Sequence, residues 1–62
     1  MPFIHVRLFE GRSTDQKREF AKAVTSEAVK ILKCTPESVD IVLDDVKKSD
    51  WAHAAKLASD PA

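Results

Sequence analysis

The dipeptide Met1-Pro2 places proline, a residue able to do unusual proton chemistry, second in the chain. Initiator methionine is normally removed when a small residue follows, and proline qualifies. Removal turns an unreactive amide nitrogen into a free secondary amine. An α-amino group has a reference pKa of about 7.7–8.0, closer to neutrality than any lysine. Burial or a neighbouring cation lowers that value further. A general base works best with a pKa near the working pH, so a freed Pro2, held rigidly where a strand begins, is a candidate proton-transfer group. On Met-Pro alone, Pro2 would merely begin the chain. Arg12 lies ten residues on, just past a glycine turn, and its fork of donors matches a carboxylate. Taken alone it reads as a solvated turn arginine. Trp51, the only tryptophan, suits either the wall of a pocket or a plug at a subunit contact.

Other reactive residue types point to structure. Cys34 falls at a helix end, where a small buried or half-buried thiol is expected rather than a nucleophile. His5 and His53 lie 48 positions apart, and with one cysteine in the chain a zinc site is disfavoured. Neither has a Ser or Cys motif beside it, so both are expected to be satisfied or exposed. Asp44 and Asp45 occupy adjacent strand positions, which face opposite ways, so they do not form a carboxylate dyad.

Three elements must position these groups. In residues 3–9, Ile4, Val6 and Leu8 alternate with Phe3, His5, Arg7 and Phe9, which is the period of a strand. Gly11, the only glycine, follows and is expected to adopt a backbone conformation other residues tolerate poorly. Ser13 and Gln16 fit a capping box, so a helix should open near Thr14. Phe20, Val24, Ala28 and Ile31, with Ala21 and Leu32 beside them, give it an apolar stripe as far as about Lys33. Pro36 disfavours continuation through Thr35, and Thr35-Pro36-Glu37 reads as the start of a short helical turn. Residues 39–46 form a second strand, Val39, Ile41 and Leu43 alternating with Asp40, Val42 and Asp44. Strand, long helix, strand is a βαβ unit with parallel strands, an α+β subunit. In the tail, Ser49 or Asp50 caps a short helix on propensity alone, since residues 50–59 hold four alanines and no glycine.

The chain of 62 residues has room for a single domain, 1–62. A domain this small buries only about 60% of its unfolded surface and usually needs a staple. One cysteine rules out an internal disulfide, and a two-stranded sheet cannot stand alone in water, so its edges are expected to pair with other subunits. Ten basic and ten acidic side chains argue against a nucleic-acid module. Residues 1–33 carry 7 basic and 4 acidic groups and residues 34–62 carry 3 and 6, an imbalance that suits self-association. No apolar run spans a membrane and no signal peptide opens the chain, so a soluble, cytoplasmic protein is expected.

Together, Pro2, the Phe9-Glu10-Gly11-Arg12-Ser13 turn, Asp15-Gln16-Lys17 opening the helix, and Trp51 before the tail resemble the 4-oxalocrotonate tautomerases, short-chain members of the tautomerase superfamily. The resemblance covers nearly the whole chain. It implies a tautomerase/MIF-like fold, a hexamer built as a trimer of dimers, and catalysis without cofactor or metal. It assigns the catalytic base to Pro2, freed of methionine, acting on a dienol acid such as 2-hydroxymuconate. It assigns Arg12 to the substrate's distal carboxylate, and Trp51 and Phe9 to the pocket wall. Its setting would be the degradation of aromatic compounds through ring-cleavage acids.

This sequence departs from that pattern in three places. A second arginine near the start of the second strand is replaced by Asp40, which cannot donate those hydrogen bonds and repels a dianion. That substitution opens the site to a monoacid or to another polarising group, Arg7 being a conceivable substitute. It also opens hydratase- or dehalogenase-type chemistry with a charged Pro2, or a non-catalytic place in a heterohexamer. Ala52-His53-Ala54-Ala55 replaces a glycine-rich hairpin, and a helical tail there would make a dimer conceivable. A retained Met1 would leave Pro2 an amide.

Overall fold

A computed structural model describes residues 1–61. The alternating segment forms β1 (Phe3–Phe9), with Ile4, Val6 and Leu8 turned to the covered side. Gly11 takes φ +120, a conformation closed to L side chains, although a Cβ there would meet no atom within 4 Å. The glycine is therefore needed for its backbone and not for space. Helix α1 (Thr14–Leu32) opens on the expected capping box: the Gln16 amide donates to Ser13 Oγ at 3.1 Å, and the Ser13 amide donates to Gln16 Oε1 at 2.9 Å. It closes on Lys33 in the left-handed conformation. A 3-10 turn at Pro36–Ser38 follows, and β2 (Asp40–Val46) returns parallel to β1. The register runs from Phe3↔Asp40 to Phe9↔Val46. Val39 stays outside the strand, its amide donating to Pro36 O at 3.2 Å.

The helix covers one face of this ribbon. Ala21, Val24 and Ala28 turn inward; only Ala28, 8% exposed, is a buried hydrophobe among the described residues. The expected stripe therefore splits. Ile31 and Leu32 are left 68% and 59% exposed, and Phe20, 45% exposed, lies at the rim of the sheet–helix contact, since two strands do not cover the whole stripe. Asp44 and Asp45 part as expected. Asp44 Oδ2 lies 2.5 Å from His5 Nε2, and Asp45 accepts from Lys17 on the helix at 2.6 Å. Cys34 is half-buried with Sγ 3.6 Å from Ala28 O.

The tail is not the helix that propensity suggests. After a 3-10 turn at Lys48–Asp50, β3 (Ala52–His53) and β4 (Lys56–Leu57) form an antiparallel hairpin. Ala54 and Ala55 form its two-residue loop at φ 52 and 69, the left-handed pair of a type I′ turn that glycine or asparagine normally fills. Isolated helices shorter than about 12–15 residues are marginal even when alanine-rich. Here Ala58 donates to Trp51 O at 2.7 Å, and the Leu57 amide donates to Asp60 Oδ2 at 3.1 Å. These bonds hold the hairpin against the local preference of its alanines. No helix among the described residues is long and apolar enough to cross a membrane.

Candidate active site

Parallel pairing separates the residues singled out in the sequence. Pro2 lies at the amino end of β1, half-buried, and its carbonyl accepts from the Asp40 amide at 3.0 Å. Asp40, exposed, is the first residue of β2 and pairs with Phe3, so its carboxylate belongs to the end of the ribbon where Pro2 sits. At about 3.3 Å per residue, the seven steps from Pro2 to Phe9 span roughly 23 Å. Within one chain, Pro2 cannot share a small substrate with anything beyond Phe9.

The carboxyl end gathers the rest. Glu10 continues the ladder, its amide donating to Val46 O at 3.0 Å, and Gly11 then turns the chain. Arg12 is carried back over the strand it has just left, Nη1 donating to Phe9 O at 3.0 Å. Phe9 and Trp51 pack with ring centroids 4.7 Å apart and planes tilted by 58°, the offset geometry aromatic pairs prefer. Trp51 is delivered by the second 3-10 turn, its amide donating to Lys48 O at 3.3 Å. The same turn places Lys48 Nζ 5.7 Å from the centroid of Phe9. Arg12, Phe9 and Trp51 are thus assembled by one chain, and Pro2 is not among them. Lys48 was not singled out by motif or period; its signal was only its place three residues before Trp51.

Two recesses border this cluster. One, of about 340 Å³, opens between sheet and helix and is lined by apolar Val6, Leu8, Phe20 and Leu43 with Arg12. Lys17 also lines it but is already paired with Asp45. The other, of about 560 Å³, lies by the opposite sheet face between Arg7, Asp44, Asp50 and Trp51. Arg7 does share a recess with Trp51, in the company of two carboxylates. Among the described residues, no three His, Cys, Asp or Glu side chains converge as a metal site.

Residues 2–60 match the family described as Tautomerase enzyme. The chain belongs to the tautomerase family. A probable tautomerase of Listeria innocua is 37% identical over 60 residues, which is 97% of this chain and 98% of that one. The solved structure of YwhB, a homologue of 4-oxalocrotonate tautomerase, superposes with a TM-score of 0.93 at 28% identity, covering 98% of this chain and all of the other. A 4-oxalocrotonate tautomerase of Chloroflexus aurantiacus, itself a heterohexamer, superposes at 0.89 and 25% identity, covering 95% of each chain. The tautomerase resemblance carried by Pro2, the Gly11-Arg12 turn and Trp51 therefore extends over the whole βαβ frame, including the hairpin tail.

Proposed function

We propose that this tautomerase interconverts enol and keto forms of small unsaturated acids such as 2-hydroxymuconate, with Pro2 as general base once Met1 is removed. The neutral Pro2 nitrogen takes the proton of the 2-hydroxy group as the carbonyl forms, and returns a proton to carbon at the far end of the dienol. The double bonds shift, no atom is lost and nothing is oxidised. Arg12 holds the distal carboxylate and draws electron density toward it; Phe9 and Trp51 exclude water.

The observation that carries this reading is the gathering of Arg12, Phe9 and Trp51 at one end of a tautomerase fold whose proline stands at the other. The split requires a second chain: Pro2 of one copy must meet Arg12 of another. Exposed Phe3, Ile31 and Leu32 and two unpaired sheet edges supply the surface for such association. A homohexamer is the assembly we assign, and native mass spectrometry tests it. Six chains support the reading, whereas a monomer that still turns over substrate overturns it.

The deciding experiment is ketonisation of 2-hydroxymuconate and phenylenolpyruvate by protein whose intact mass shows Met1 gone, beside Pro2→Ala. Turnover that Pro2→Ala abolishes supports the mechanism; unchanged turnover sinks it. Asp40 beside Pro2 favours one second reading, in which a charged Pro2 acts as acid while the carboxylate activates water. The pH–rate profile separates the two. The tautomerase rate rises as Pro2 loses its proton, and the hydratase rate falls over the same range.

A further inference from the structure

The cations of this chain are unequally occupied. Lys17, Arg18, Lys22 and Lys30 each lie within 4.0 Å of a carboxylate, in the pairs with Asp45, Asp15, Glu19 and Glu27. Arg7, Arg12, Lys33, Lys47, Lys48 and Lys56 have no such partner among the described residues, and of these Arg12 and Lys48 both meet Phe9, one at its carbonyl and the other over its ring. Asp50, two residues from Lys48, lines the recess with Arg7 and Asp44 instead of pairing with it. Two positive groups with no carboxylate partner therefore meet at Phe9, the ring that packs on Trp51. A guanidinium at the Phe9 carbonyl and an ammonium over the Phe9 ring suit a ligand with a flat unsaturated body and more than one anionic group.

We infer that Lys48 is the second anion-binding residue of the site, holding the carboxylate that Arg12 does not and so fixing a preference for dicarboxylate over monocarboxylate enol acids. This rests on the proposed function, in that it takes the Phe9–Trp51 surface as the substrate wall. It also explains how a site with Asp40 near its proline still accepts a dianion, since the attraction lies at the carboxyl end of the ribbon. The role of Lys48 is to bind and orient; no proton passes through it.

The test uses Lys48→Met, which keeps most of the side-chain stem and removes the charge, beside Lys48→Arg and the control Lys47→Ala. Two readouts are needed. The first is the ratio of kcat/KM for 2-hydroxymuconate to that for phenylenolpyruvate. The second is quenching of Trp51, the only tryptophan, by muconate, which has both carboxylates but no hydroxyl to deprotonate. Lys48→Met should lower the ratio about tenfold through KM and weaken muconate binding by a similar factor, the order expected of one partly exposed charge pair. Lys48→Arg should restore both, and Lys47→Ala should leave both in place. A ratio and a muconate affinity unmoved by Lys48→Met overturn the inference, as does an equal loss for both substrates. Pro2→Ala keeps the two readings apart. If it leaves turnover intact the proposed mechanism falls, while the dependence of muconate binding on Lys48 is still decided by fluorescence.

Discussion

The two ends of the parallel ribbon are built on different principles. At the carboxyl end a glycine turn, a 3-10 turn and the hairpin behind Trp51 bring Arg12, Phe9, Trp51 and Lys48 together within one chain. At the amino end stands one proline, joined to Asp40 by a single backbone hydrogen bond and flanked by Phe3, which is 58% exposed. In the proposed function one end grips the substrate and the other contributes a single reactive nitrogen. A small chain can preassemble aromatic and cationic side chains over a few ångströms. It cannot fold its own amino terminus across a strand of seven residues to meet them.

That contrast makes separable predictions. Pro2→Ala, which touches only the reactive end, should lower kcat by at least about a thousandfold while muconate still quenches Trp51; loss of binding in step with rate would erase the division. Arg12→Ala, at the gripping end, should raise KM for 2-hydroxymuconate by roughly ten- to a hundredfold, with a smaller effect on kcat. An unaltered KM would remove Arg12 from the grip. Asp40→Asn takes a negative charge from beside the proline, so the freed amine should lose its proton more readily. The rising limb of the pH–rate profile should then move down by up to about one pH unit. A limb that stays in place would show that Asp40 does not reach the reactive nitrogen.

Two smaller effects concern how the gripping end is held. Ala54→Asn with Ala55→Gly should raise the thermal midpoint, each left-handed alanine being worth roughly 1 kcal/mol, with no change in the diacid-to-monoacid ratio. A lower midpoint would show that the loop is not the type I′ turn described. Ser13→Ala removes one side of the capping box and should cost about 1 kcal/mol, read by denaturant midpoint. No change there would mean the helix start is held by other contacts.

Much of this frame could be read from side-chain order. Alternation from Phe3 to Phe9 and from Val39 to Asp44 marked both strands, the second beginning one residue later at Asp40, and Ser13 with Gln16 marked the helix start, because these signals are local and agree with the packing. The tail could not be read so. Ala54 and Ala55 favour helix by propensity, and what turns them into a hairpin loop is the pairing of Ala52 with Leu57 and the bond from Ala58 to Trp51. Phe20 and Ile31 look like core by period, but two strands are too few to cover them, and they stay 45% and 68% exposed. Pro2, Arg12, Phe9 and Trp51 were legible by type, but their division between two ends follows from strand direction, not from any motif. Lys48 offered only its place three residues before Trp51, and the turn set it over Phe9.

The distance between Pro2 and Arg12 also has a consequence for counting. If every site borrows its proline from one chain and its arginine from another, two defective chains can repair each other. Pro2→Ala protein, which lacks the base, and Arg12→Ala protein, which turns over poorly at 2-hydroxymuconate concentrations well below its raised KM, should gain activity at such concentrations when unfolded together and reassembled at equal amounts. Random mixing would leave about one site in four with both residues intact. The recovered fraction thus reads out who neighbours whom, and a site contained within a single chain would recover nothing.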